Sequence, residues 1–93
     1  MDLEKSWAIT RKHLEKARSL LPSPIVQGEQ TESIGAYQEF IEHNELECAL
    51  DQLEGLGEAN ACSQEFWQEL RLATENMGLT DRLAYYDAKL KSA

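Results

Sequence analysis

Four side chains carry chemistry that catalysis or metal binding could use: His13, His43, Cys48 and Cys62. His13 falls at the edge of its helix's apolar face, near Ser6 and Ile9. No nucleophile or orienting acid has an evident place beside it, so it reads as a boundary histidine. His43 and Glu45 supply two ligands at a helix break, short of a complete metal site, and His43 reads as a turn residue. Cys48 lies among Glu45, Glu47 and Asp51. That is the opposite of the electropositive setting that makes a thiol nucleophilic. Cys48 and Cys62 lack Cys-x-x-Cys spacing. Their pairing stays open, although a chain without an export signal normally keeps its thiols reduced. No phosphate-binding glycine loop, Gly-x-Ser-x-Gly elbow or His-Glu-x-x-His is present. The expectation is a non-enzymatic protein with no catalytic residue, metal ligand or cofactor.

What remains is electrostatic. The chain has 93 residues, 17 acidic and 9 basic, for a formal net charge of -8. Residues 1–21 carry five basic and three acidic groups, and residues 79–93 carry three and two. Residues 22–78 carry twelve acidic groups and one basic group, Arg71. Such a balance opposes nucleic-acid binding and docking to an anionic membrane, and favours a basic protein partner. No apolar run approaches the roughly 18–20 residues of a membrane span. Met1-Asp2-Leu3-Glu4-Lys5-Ser6-Trp7 is no secretory signal. The expectation is a cytoplasmic protein.

The acidic residues are ordered. Glu47, Asp51, Glu54 and Glu58 follow steps of four, three and four, within about 60° of one helical direction. Like charges at that spacing oppose each other by about 0.2–0.5 kcal/mol per pair. Glu39, Glu42 and Glu45 continue the negative surface around a hairpin, and Glu65 and Glu69 repeat the spacing on the next helix. Trp67, at the edge of an apolar arc, reads first as a lid on the core, and otherwise as the type of residue that anchors an interface. Leu72 projects toward the acidic side, where a homodimer contact is also open. Two readings coexist: a solvated face, and a surface that speeds encounter with a basic partner.

Helices must position these groups. Apolar residues recur at helical spacing, with no sustained alternation. Leu3, Trp7, Thr10, Leu14, Ala17 and Leu21 form one stripe, widened by Ile9 and Leu20, over a helix of about 2–21 with Asp2 as N-cap. Residues 22–30 hold both prolines and a glycine and form a connection, plugged into the core by Ile25 and Val26. A helix of about 31–42 follows, with Ile34, Tyr37 and Ile41 inward and Gly35 placed for close helix approach. Asn44 as N-cap with Glu47 resembles a capping box and opens a helix of about 45–56. Gly55 and Gly57 supply backbone freedom at its end. Ser63 caps a helix of about 63–77 that closes at Gly78, and Thr80 caps one of about 80–91. The expected fold is all-α: one domain, a compact bundle of four to five short amphipathic helices.

The stretch Tyr37-Gln38-Glu39-Phe40-Ile41-Glu42-His43-Asn44-Glu45-Leu46-Glu47-Cys48-Ala49-Leu50-Asp51-Gln52-Leu53 is an aromatic-rich helix, a polar turn and Glu-x-x-x-Ala-Leu-x-x-Leu. With Phe66-Trp67-Gln68-Glu69-Leu70 and Asn76-Met77-Gly78-Leu79, it resembles the small immunity proteins of bacterial polymorphic-toxin systems, the MafI-like group in particular. The resemblance covers about residues 34–79. It implies a cytoplasmic bacterial protein that binds and blocks one cognate toxin, often a nuclease with a basic surface. The basic first helix, with its tryptophan, matches no pattern of that group. The hairpin is also similar to a single tetratricopeptide-type helix pair, without the repeats a solenoid needs. That similarity implies the rival function, a small helical adaptor or subunit of a cytoplasmic complex.

Overall fold

A computed structural model describes residues 3–22, 33–60 and 62–91. Helical spacing becomes helix at all five expected places: α1 (Leu3–Ser19), α2 (Ile34–Glu42), α3 (Leu46–Ala59), α4 (Gln64–Asn76) and α5 (Leu83–Lys91). A 3-10 turn, Thr80–Arg82, precedes α5, and no strand occurs among the described residues. The fold is the expected small all-α bundle. Asp2, Thr31, Ile25 and Val26, on which an N-cap, a helix start and a core plug were expected, lie outside the described residues.

α1 packs chiefly on α4 and also on α3, α2 pairs with α3, and α5 pairs with α4. Their facing stripes merge into one core: Leu14 and Ala17 of α1, Tyr37 and Ile41 of α2, Leu50 and Leu53 of α3, Phe66 and Leu70 of α4, Tyr86 of α5. Burying a side chain of this size removes it from water for roughly 1.5–3 kcal/mol. The expected α1 stripe holds at Thr10, Leu14 and Ala17 but fails at Trp7 and at the flanking Ile9. Trp7 is 43% exposed and Ile9 48%. Leu20 and Leu21 leave the α-helix, donating their N–H groups to Ala17 and Arg18 three residues back.

The α2–α3 turn differs from its expected form. Asn44 does not cap α3: it takes φ 55°, the left-handed conformation that asparagine tolerates. Its N–H donates to the Ile41 carbonyl and the Glu45 N–H to that of Phe40 at 2.8 Å, which closes α2. Glu45 stands at the N-cap of α3 with no side-chain cap bond, so no capping box forms. α4 closes the same way around Gly78, with φ 76° and bonds to the carbonyls of Thr74 and Glu75. Ser63 caps α4 as expected, accepting from the Phe66 N–H at 3.3 Å. Ser33 caps α2, accepting from Ala36 at 3.0 Å. Thr80 opens the 3-10 turn instead of capping α5.

The glycine roles are exchanged. Gly57 lies inside α3, fully covered, and a Cβ there would stand 2.6 Å from Phe66 Cε1 and 2.8 Å from Trp67 Cη2. The aromatic pair of α4 therefore packs directly on α3 backbone. Gly35 is exposed, and a Cβ there would meet only Ser33 Oγ at 3.9 Å, so it serves no close approach. Cys48 and Cys62 are both free thiols. Burial raises the Cys62 thiol above its ordinary value.

Candidate protein-binding surface

α3 presents the expected acidic stripe, and the packing of α5 divides it. Arg82 reaches across from the 3-10 turn, placing Nη1 2.7 Å from Asp51 and Nη2 2.9 Å from Glu54. Glu54 also accepts from the Tyr86 hydroxyl at 2.6 Å. Lys89 of α5 pairs with Glu58 at 2.6 Å and sits 5.3 Å from the Trp67 ring centroid. Burial opposes the Arg82 charge, yet Glu54, Tyr86 and Asp51 outweigh it and hold the guanidinium above its ordinary pKa. Burial raises the Tyr86 phenol above its ordinary 10.0, and Glu54 adds to this. Three of the four stripe carboxylates thus fasten the 3-10 turn and α5 to α3.

The α4 acids divide likewise. Glu69 is only 6% exposed. It meets His13 Nδ1 at 2.9 Å and Lys16 at 3.8 Å, which ties α4 to α1. Glu65 is exposed and lies 3.9 Å from Lys16. Trp67 is 6% exposed, edge-on to Phe66 at 5.0 Å and to Tyr85 at 6.2 Å between centroids. Its place is the core between α3, α4 and α5, not an interface edge. The charge pattern could not reveal these internal pairs, because they depend on which helix lies beside which.

A second set is left. Glu39, Glu42, Glu45 and Glu47 are exposed, and no ion pair or side-chain hydrogen bond engages their carboxylates among the described residues. They surround the α2–α3 turn. Glu47 occupies the first turn of α3, where a negative charge complements the helix dipole. Glu39 and Glu42 sit in the last turn of α2, which has no basic residue there. Acidic charge at that end opposes the dipole by about 0.3–1 kcal/mol at low salt. Helix stability accounts for Glu47 but not for Glu39 or Glu42.

Beside this acidic turn lies an unexpected hollow of about 340 Å³. Trp7 and Thr10 of α1, Asn44 of the turn, Leu46 and Glu47 of α3, and Asn76 and Met77 at the end of α4 all border it. Asn76 fixes the register of α1 on α4. Its Nδ2 donates to the Ser6 carbonyl at 2.9 Å and to the buried Thr10 hydroxyl at 2.7 Å. α4 therefore ends level with Ser6–Thr10, and Trp7 is left uncovered where α4 runs out. A smaller hollow of about 250 Å³, bordered by Trp7, Arg11 and Asn44, adjoins it. Arg11 is held by Asn44 Oδ1 at 2.7 Å.

The groups able to act chemically stay dispersed. His13 is occupied by Glu69, and no cluster of three metal-ligating residues occurs among the described residues. No described helix is long and apolar enough to cross a membrane. Against protein families, curated proteins and solved structures, the chain finds no match.

Proposed function

We propose that the chain is a small protein-binding module for a basic partner, engaged through Glu39, Glu42, Glu45 and Glu47 around the α2–α3 turn. One observation carries this reading. The bundle uses Asp51, Glu54, Glu58 and Glu69 internally, yet leaves these four exposed and without an ion pair among the described residues, two of them at a helix end that disfavours them. A concentrated negative surface speeds encounter with a positive one and fixes its register.

The resemblance of residues 34–79 to MafI-like immunity proteins supplies the most specific partner: the basic face of a nuclease-type toxin domain in a bacterial cytoplasm. Growth rescue tests it. Co-expressed with the toxin domain of an adjacent reading frame, the protein restores growth and suppresses nuclease activity. Charge reversal of Glu39, Glu42 and Glu45 abolishes rescue without loss of helix content. If the wild-type chain gives no rescue, the immunity reading fails, and the helical adaptor of a cytoplasmic complex takes its place.

A further inference from the structure

We propose that the hollow beside Trp7 is an arginine pocket, which receives one guanidinium of the basic partner; this rests on the protein-binding reading above. The larger hollow has the three surfaces that an arginine side chain requires. The first is aromatic: Trp7 is 43% exposed on its border, and indole is the best ring for a cation. The second is apolar: Leu46, Met77 and Leu79 line the hollow and suit a methylene stem. The third is an acceptor set. The exposed Glu47 carboxylate lines the hollow, as does Asn76, whose Nδ2 is turned to Ser6 and Thr10 and whose Oδ1 receives no donor among the described residues.

The field agrees in sign. Asn44 and Asn76 mark the C-terminal ends of α2 and α4 at this hollow, and both ends are negative poles. Arg11, the nearby cation, borders only the smaller hollow, where Asn44 holds it. Arginine is favoured over lysine because a planar guanidinium stacks on indole while its edge donates to a carboxylate. A wholly apolar occupant would leave Glu47 and the Asn76 carbonyl facing it without donors.

The experiment uses the full chain and Gly-Ser peptides bearing four arginines, four lysines or four glutamines, at low salt. Affinity is measured by calorimetry and the site by the indole N–H resonance of Trp7. The expected result is binding of the arginine peptide with a Trp7 shift, weaker binding of the lysine peptide, and none of the glutamine peptide. Trp7→Ala and Glu47→Gln, both at exposed positions, each lower arginine-peptide affinity roughly three- to tenfold and erase the preference over lysine. Equal affinities for both cationic peptides, untouched by either substitution, overturn the pocket. If Glu39→Gln, Glu42→Gln and Glu45→Gln together then remove binding, the basic-partner reading survives without it. A wild-type chain that binds no cationic peptide overturns both. Tighter binding of an uncharged apolar peptide, or self-association that shifts Trp7, also overturns the arginine assignment.

Discussion

Arg82 donates to Glu54 at 2.9 Å, and through this pair the last helix is held on α3. The same Glu54 oxygen accepts from Tyr86, so one carboxylate organises two donors from the α5 region. Arg82→Ala is expected to destabilise the bundle by about 1.5–3 kcal/mol, the range for hydrogen bonds to charged groups. Asp51→Asn is expected to cost only about 0.2–1 kcal/mol, because Asp51 is half exposed. Urea denaturation monitored by circular dichroism checks the order. Equal losses for the two variants would mean that Glu54 is not the principal partner.

Two buried tyrosines should respond oppositely to removal of their hydroxyls. Tyr37 is fully buried, and its hydroxyl has no partner at hydrogen-bond geometry among the described residues. Tyr37→Phe relieves an unsatisfied polar group and is expected to be neutral or stabilising by up to about 1 kcal/mol. Tyr86→Phe removes the 2.6 Å bond to Glu54 and is expected to destabilise by about 1.5–3 kcal/mol. Thermal unfolding of the two single variants decides the matter.

Both phenols also link stability to alkaline pH. Burial raises each above 10.0, with nearby carboxylates adding to it, Glu15 for Tyr37 and Glu54 for Tyr86. A raised phenol pKa favours the folded state fully below the unfolded value, and the contribution is lost as pH climbs above it. Helicity is therefore expected to fall above pH ~10, with phenolate absorbance from Tyr37 and Tyr86 rising together with unfolding. Phenolate formation by these two residues in a chain that keeps its helical signal would contradict the linkage.

The helices themselves were readable, because burial of one stripe per helix writes a period into the sequence: Leu14, Ala17, Leu50, Leu53 and Leu70 all fall inward as spaced. Lateral relations left no such trace. Glu54 and Glu42 look alike in sequence, and only the neighbouring helix makes one a clamp and leaves the other open. Trp7 shares the α1 stripe but stays 43% exposed beside the last residue of α4, in a register that Asn76 fixes. Trp67 looked like an edge because periodicity does not show that α5 covers its flank with Tyr85 and Tyr86.

The glycines give a paired test of the same point. Gly35→Ala, at an exposed helical site with open space, is expected to stabilise by about 0.5–1 kcal/mol. Gly57→Ala gains the same propensity but drives a methyl into Phe66 and Trp67, and overpacking of this type costs about 1–3 kcal/mol. The net expectation at Gly57 is destabilisation, with weakened near-ultraviolet dichroism from the Trp67 cluster. A stabilised G57A protein would show that the two rings can withdraw from the α3 backbone.

Glu42 offers the sharpest separation of a working surface from a merely solubilising one. It is exposed, has no ion pair among the described residues, and stands at the last residue of α2, against the dipole. Glu42→Lys should therefore stabilise the isolated protein by about 0.3–1 kcal/mol at low salt. The gain should shrink at high ionic strength as screening weakens the interaction. The same substitution should slow association with a basic partner and weaken its salt dependence, since charge steers encounter more than it adds affinity. Stability by denaturation and on-rate by stopped flow measure the two sides. A stabilised E42K protein with an unchanged on-rate would place Glu42 outside the encounter surface. Opposite movement of the two would identify a residue kept for binding at a cost to the fold.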